Sequence, residues 1–211
     1  MKFENIAVYN FPNAFHGMRN PMNSWDKSDS DWANGIIGEK DLELAQKLIK
    51  AGSEHRKFMR QIFVSVDITA PIYWWKELDT YKVATTANST STMHKLALTP
   101  ITLECFDIDD YNIVMMDLSG KEEFINVIEE IYIPYLERLR QLYNDSKDIR
   151  YWKELIRWLP QGWLQTRTWT CSYETLYSIY HQRKNHKLTE WSNAFMAFID
   201  SLPYANELIK I

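Results

Sequence analysis

The chain has 211 residues, 45% of them hydrophobic, and a formal charge of −4 at neutral pH. That length is enough to bury one sizeable core, so a single domain over residues 1–211 is expected. The slightly acidic balance gives none of the clustered cationic charge that binding a nucleic acid polymer requires, so no such partner is expected. The two cysteines, Cys105 and Cys171, have neither a metal-ligand spacing nor a disulfide framework, which suits a reducing compartment.

From the first residue, MKFENIAVYNF carries an early Glu and no continuous apolar run, so it does not read as a secretory signal. No window approaches membrane-span length, and the expectation is a soluble, cytoplasmic chain with no membrane partner. Asn10 and Pro12 suit the start of a helix over 10–19, which Pro21 ends. Residues 20–38 are rich in Asn, Asp, Ser and Gly and read as a loop. Asp26, Asp29 and Asp31 lack the loop Gly and closing Glu of an EF-hand, so solvated turn carboxylates are expected rather than a metal site. Leu44, Ala45, Leu48 and Ile49 recur at helical spacing before Gly52, which predicts an amphipathic helix over 39–51. Ile62, Val64, Val66 and Ile68 then alternate with Phe63, Ser65, Asp67 and Thr69, the period of a half-buried strand.

A helix is predicted from Ala70-Pro71 to about Lys82, followed by the hydroxyl-rich run Thr85, Thr86, Asn88, Ser89, Thr90, Ser91, Thr92. That run supplies neutral donors for a phosphate, or else it is a surface loop capping the next element. Residues 101–116 read as loop with short pieces, and Asp107, Asp109 and Asp110 as solvated charges. Cys105, among Leu103, Phe106 and Ile108, reads as a small buried hydrophobe.

The pair Ser119 and Glu122 is a capping box for a long helix over 120–143, with Phe124, Val127, Ile128, Ile131, Tyr135 and Leu139 in period and a bend at Pro134. A further helix ends by Leu159-Pro160. A second strand over 164–171 alternates Leu164, Thr166, Thr168 and Thr170 with Gln165, Arg167, Trp169 and Cys171. Helices over 172–184 and 188–201 close the chain, the last with Leu188, Trp191, Phe195 and Phe198 as a core stripe. The fold class expected is α+β, a small sheet covered by several helices. There is no Gly-x-Ser-x-Gly, no P-loop, no dinucleotide glycine fingerprint and no His-Glu-x-x-His.

The order Ala70-Pro71-Ile72-Tyr73, a short helix ending near Lys82, and a polar segment closing on Lys95-Leu96 resembles the signature region of the flavin-dependent thymidylate synthases. Where that family has an Arg-His-Arg triplet, this chain has Thr80-Tyr81-Lys82. Where it has Glu-Leu-Ser-Gly-Arg-Tyr, this chain has Asn88-Ser89-Thr90-Ser91-Thr92-Met93. The order of the remaining elements, including Leu159-Pro160 and Gln182-Arg183, is similar over most of the chain.

The resemblance implies that Lys76, Glu77, Asn88, Ser89, Thr90, Ser91, Thr92 and Arg183 bind a pyrimidine deoxynucleotide such as dUMP, with Arg19 as a further candidate cation. It implies that Arg183 is catalytic, favouring ionisation of the pyrimidine ring nitrogen as a permanently charged donor. His55, Thr80, Tyr81, Lys82, Ser172 and Glu174 fall where the family binds FAD, and a carboxylate at Glu174 is expected to disfavour a diphosphate unless it is reoriented. Methyl transfer would take a one-carbon unit from methylene-tetrahydrofolate, with NADPH as reductant, and the family works as a homotetramer. The alternative is a nucleotide-binding or pyrimidine-modifying protein that keeps the fold without flavin. His94 and His186 read as structural histidines, and His181, Arg183, Lys184 and His186 as a basic patch suited to an anion or to a helix C-terminus.

Overall fold

A computed structural model describes residues 1–108 and 127–211. Strand β1 (Lys2–Tyr9) leads to helix α1 (Phe11–Arg19) and then α2 (Glu39–Ala51). Next come β2 (Phe63–Pro71), α3 (Ile72–Leu78), β3 (Thr86–Ser89) and the short α4 (Thr92–Lys95). The helices α5 (Ile133–Ser146) and α6 (Ile149–Arg157) precede β4 (Leu164–Ser172) and α7 (Tyr173–Arg183). The last elements are α8 (Met196–Asp200) and α9 (Ala205–Leu208).

The four strands form one antiparallel sheet in the order β1-β2-β4-β3, so the chain is of the mixed α and β class that its pattern predicts. Its backbone divides into two compact units. The first comprises Met1, residues 69–78 and the described part of 89–167, and the second comprises residues 2–68, 79–88 and 168–211.

In the second unit the alternation along β2 does what its sequence requires: Val64, Val66 and Ile68 are fully buried, while Phe63, Ser65 and Asp67 face the other way. Each fully buried aliphatic side chain of this kind contributes about 1.5–3 kcal/mol. The register against β4 is carried by side chains, with Thr168 Oγ1 donating to Asp67 and Thr170 Oγ1 to Ser65 Oγ at 3.4 Å. Each step of two residues down β2 is therefore matched by a step of two up β4. On β1, Asn5 Nδ2 donates to Asp67 Oδ2 at 2.7 Å. Phe15 of α1 packs its ring 5.6 Å from Phe58 and 5.7 Å from Trp32, and Trp191, Phe195 and Phe198 form an edge-to-face run.

The loop before α2 is built around its carboxylates. Asp29 accepts the main-chain N–H of Lys40 at 3.0 Å and of Asp41 at 3.1 Å, so it caps α2 from a distance in sequence. Gly38 makes this possible, because a β-carbon there would collide with the Asp29 carboxylate and main-chain carbonyl. Asp31 accepts from Asn34 Nδ2 at 2.7 Å. Asp29 and Asp31 are thus structural acceptors rather than merely solvated charges, and these bonds hold their carboxyls below the usual range, Lys40 N–H leading for the first and the Asn34 side chain for the second.

Deeper in, Asp41 is 0% exposed and pairs with Arg19, itself 6% exposed, at 2.6 Å. The second oxygen of Asp41 accepts from Ser28 and Ser30, each at 2.5 Å. A buried ion pair persists when its remaining lone pairs are filled in this way.

In the first unit a separate core of Leu96, Ile101, Phe106, Leu136, Leu139 and Leu155 is closed by α5 and α6. Glu137 accepts the Ile101 N–H at 2.9 Å and Arg140 Nε at 2.7 Å, and Ala97 C=O accepts from Asn144 Nδ2 at 2.8 Å. These bonds tie the 97–101 segment onto α5. At Pro134, where a bend was expected, a π-helical stretch over Val127–Tyr132 ends and α5 begins, with the proline in its first turn. A proline brings no N–H for the carbonyl one turn back, and a widened turn relieves that mismatch. The N-terminal part of the predicted long helix, with Ser119, Glu122 and Phe124, and also Asp109 and Asp110, lies outside the described residues.

Three local expectations are corrected. The predicted helix over 70–82 spans only Ile72–Leu78, because Ala70 and Pro71 continue β2. The free N–H groups of its first turn are taken by Trp163 C=O, from Ile72 at 3.1 Å, and by Gln161 C=O, from Tyr73 at 3.1 Å. Within the polar run, Thr86–Ser89 is a strand. Cys105 is half-buried rather than buried, and Cys171 is the buried cysteine, its thiol pushed well up by burial. Among the described residues no helix is long and apolar enough to cross a membrane.

Candidate functional site

In the second unit β4 passes into α7 at Ser172, whose Oγ accepts the Thr175 N–H at 3.2 Å. Ser172 is thereby a buried helix cap, 2% exposed. This places Glu174 in the first turn of α7, where the helix dipole favours a carboxylate. Beside it opens a cavity of about 370 Å³ lined by Ser53, Arg56, Thr80, Tyr81, Lys82 and Val83, and on α7 by Glu174, Thr175 and Ser178.

The Glu174 carboxylate, 15% exposed, is gripped by two guanidiniums. Arg56 Nε donates to Oε1 at 3.2 Å, Arg60 Nη2 donates to Oε1 at 3.2 Å, and Arg60 Nε donates to Oε2. The Arg56 guanidinium also lies 4.4 Å over the Tyr177 ring. Glu174 is thus reoriented onto its own cations, and with Lys82 on the wall the site holds three cations against one carboxylate.

At the C-terminal end of α7, Arg183 Nε donates to Tyr81 Oη at 2.9 Å, and Tyr81 Oη donates to Gln182 Oε1 at 3.0 Å. The Arg183 guanidinium stands 5.2 Å from the Trp191 ring and 5.8 Å from the Tyr81 ring. The Tyr81 hydroxyl thus relays between two consecutive α7 residues, and the guanidinium is oriented by a hydrogen bond and aromatic faces together. His181 packs 4.4 Å from the Tyr177 ring. Burial first, then the Lys184 and Arg56 charges, hold its pKa below the ordinary histidine value.

The first unit has its own smaller cavity, about 150 Å³, lined by Thr90, Ser91, Thr92, Lys95, Leu96 and Thr99, with Cys105, Trp163 and Leu164 opposite. Three residues of the hydroxyl run therefore share one wall. Thr90 is anchored by its N–H to Thr166 C=O at 2.9 Å and by its carbonyl to Gln165 Nε2 at 3.0 Å, and Ser91 Oγ caps α4 through the His94 N–H at 3.2 Å. Asn88 and Ser89 are exposed on β3, and Lys76 and Glu77 sit on α3 of the same unit as this cavity.

The structure therefore brings Thr80, Tyr81, Lys82 and Glu174 together, with Ser172 as the cap that sets them, and Arg183 on Tyr81. It does not bring His55 to that cavity. His55 lines another one, with Arg19, Glu54 and Lys57, and the cation at the Glu174 site is its neighbour Arg56. Arg56, Arg60 and Lys95 are the residues that sequence reasoning passed over. Arg19, a candidate for the nucleotide, is committed to Asp41.

No family model matches the sequence, and no curated protein matches it either. Solved structures do match in fold. Flavin-dependent thymidylate synthase ThyX from Helicobacter pylori, complexed with FAD and dUMP, superposes with a TM-score of 0.69 at 18% identity, covering 100% of this chain and 98% of that one. A second structure of the same enzyme, also with FAD and dUMP, gives 0.67 at 18% identity with the same coverage. The likeness establishes a shared fold over the full length.

Proposed function

We propose that this chain is a pyrimidine deoxynucleotide-binding protein of the flavin-dependent thymidylate synthase type, with dUMP or a close analogue as its ligand. The observation that carries the reading is the end-to-end likeness of fold to a protein that holds FAD and dUMP, joined to the cationic cavity at the β4–α7 junction. In this reading Arg183 faces the pyrimidine, where a permanently charged donor favours the ring anion. By the resemblance, Lys76, Glu77, Asn88, Ser89, Thr90, Ser91 and Thr92 are the further candidates for the nucleotide, through hydroxyl, amide and charged groups.

The residues present fit the phosphate end of FAD. Arg56, Arg60 and Lys82 outweigh the Glu174 carboxylate, while the hydroxyls of Ser53, Thr175 and Ser178 donate to Glu54, the Val83 carbonyl and the Glu174 carbonyl, so the cations and not the hydroxyls carry that fit. Ser172 contributes by fixing the start of α7, and Tyr81 by orienting Arg183. When bound, FAD would supply the redox chemistry of methyl transfer from methylene-tetrahydrofolate, with NADPH as reductant. The protein's own part is to bind, orient and hold charge. Nucleotide binding without flavin is the second reading, favoured by the engagement of Arg56 with both Glu174 and Tyr177, contacts that a diphosphate must displace.

The test is the purified protein itself. A yellow preparation that releases flavin and binds dUMP supports the first reading, and a colourless one that binds dUMP supports the second. Absence of dUMP binding by calorimetry sinks both. Arg183→Ala should weaken dUMP roughly 10- to 100-fold, the value of a hydrogen bond to a charged group, and unchanged affinity removes Arg183 from the site.

A further inference from the structure

A cavity of about 310 Å³ in the second unit plays no part in the reading above. Its walls are mostly apolar: Met18 and Pro21 at the end of α1, Leu44 and Leu48 on α2, Phe58, and Met22 at the mouth. A few polar groups converge on it, which is the usual make-up of a small-molecule site. The polar group that matters is Arg19. Its side chain is 6% exposed and lines the cavity.

All the bonds Arg19 makes run through Nε, to Asp41, and Nη1, to Ser24 C=O at 3.3 Å. Nη2 has no acceptor among the described residues, and it is not among the buried unsatisfied side-chain atoms, so it keeps some accessible surface on a residue that lines the cavity. The outer edge of the guanidinium thus presents unused donors from a nine-tenths buried side chain. A guanidinium edge matches a carboxylate with two parallel hydrogen bonds. Asp41 does not compete for that edge, because its oxygens already hold Arg19 Nε, Ser28 and Ser30.

Charge around the cavity is balanced, Arg19 against Asp41 and Lys57 against Glu54, so recognition falls to the oriented donors. Ser24, Glu54, His55 and Lys57 are the other polar residues of the lining, and the face between α1 and α2, formed by Met18, Leu44, Leu48 and Phe58, is apolar, which suits an aliphatic body better than a sugar. The two methionines give a surface that adapts to shape.

The geometry points to a binding site for a small monocarboxylate with an apolar body, its carboxylate on the outer edge of Arg19 and its body between α1 and α2. The site is distinct from the Glu174 cavity and does not depend on the nucleotide reading.

The probe is octanoate, titrated into the full chain and followed by ligand-observed NMR, with octanamide as the uncharged control of equal length. Saturable octanoate binding is expected, with octanamide about tenfold weaker. Leu48→Trp, at a half-buried position, should fill the cavity and weaken octanoate at least about tenfold. Arg19→Lys keeps the charge near Asp41 but loses the fork, and should have a similar effect. Should Arg19→Lys fail to fold, Leu48→Trp and octanamide decide the matter. No saturable octanoate binding, equal affinity for octanamide, or unchanged binding by Leu48→Trp would overturn the assignment. So would displacement of octanoate by equimolar deoxyuridylate, which would make Arg19 part of a nucleotide site.

Discussion

Arg19 and Asp41 show how a single pair can carry a local fold. Removing one partner of a buried ion pair leaves an uncompensated charge away from water and costs about 3–5 kcal/mol. Asp41→Ala should therefore lower the unfolding free energy of the chain by that amount in urea titrations, because Ser28 and Ser30 lose their acceptor as well. A loss under about 1 kcal/mol, the level of an exposed pair, would mean that the network is dispensable. The same scale explains what the sequence could not reveal. His55 stood out by residue type, but Arg56 is the one that reaches Glu174, and only a contact between residues 118 positions apart decides between them. The hydroxyl wall of Thr90, Ser91 and Thr92 was legible as a donor-rich run, whereas Lys95 joins it only through the turn of α4.

Elements were legible where burial is periodic. The strand alternation in β2 and β4, the amphipathic α2 and the apolar stripe of the last helices follow from residues that must face a core. β1 and β3 escaped because both are edge strands, and β3 in particular is exposed along its length, so its extended state comes from pairing rather than from local pattern. The start of α3 was misplaced for a related reason, since main-chain bonds from distant residues set where the strand gives way to helix.

At this scale Glu137 is the testable joint of the first unit. Its hydrogen bond from Arg140, aided by the Ile101 N–H, lowers its pKa below the ordinary 4.5 against the opposing effect of burial. A depressed carboxyl stabilises the fold above the unfolded value, and that contribution is lost as pH falls through the folded value. Glu137→Gln should accordingly be less stable than the parent at neutral pH, and the gap between their urea midpoints should narrow on acidification below about 4.5. A gap that stays constant with pH would show that the charge of Glu137 does not hold the 97–101 segment.

For the molecule as a whole, the full-length likeness of fold to ThyX at 18% identity shows that one architecture can be built from largely different side chains. The fold class was readable because it depends on the order of buried strands and amphipathic helices, not on particular side chains. The Glu174 cavity was readable only in part, because its cations come from a segment whose placement no local pattern dictates. If the functional reading holds, the chain should assemble as the homotetramer that the resemblance implies. Light scattering should then return four times the chain mass, and a monomer at all concentrations would argue against sites shared between copies.

The glycine ahead of α2 has a consequence for anyone varying this protein. Gly38 is there for clearance and not for an unusual backbone, since its dihedral angles are ordinary extended ones, φ −74° and ψ 159°. Even a methyl group must evict Asp29, so Gly38→Ala should uncap the helix at a cost of about 0.5–2 kcal/mol, visible as a lower melting temperature. In a saturation library screened for thermal survival, codon 38 should therefore be nearly monomorphic, although nothing in its conformation would mark it as restricted.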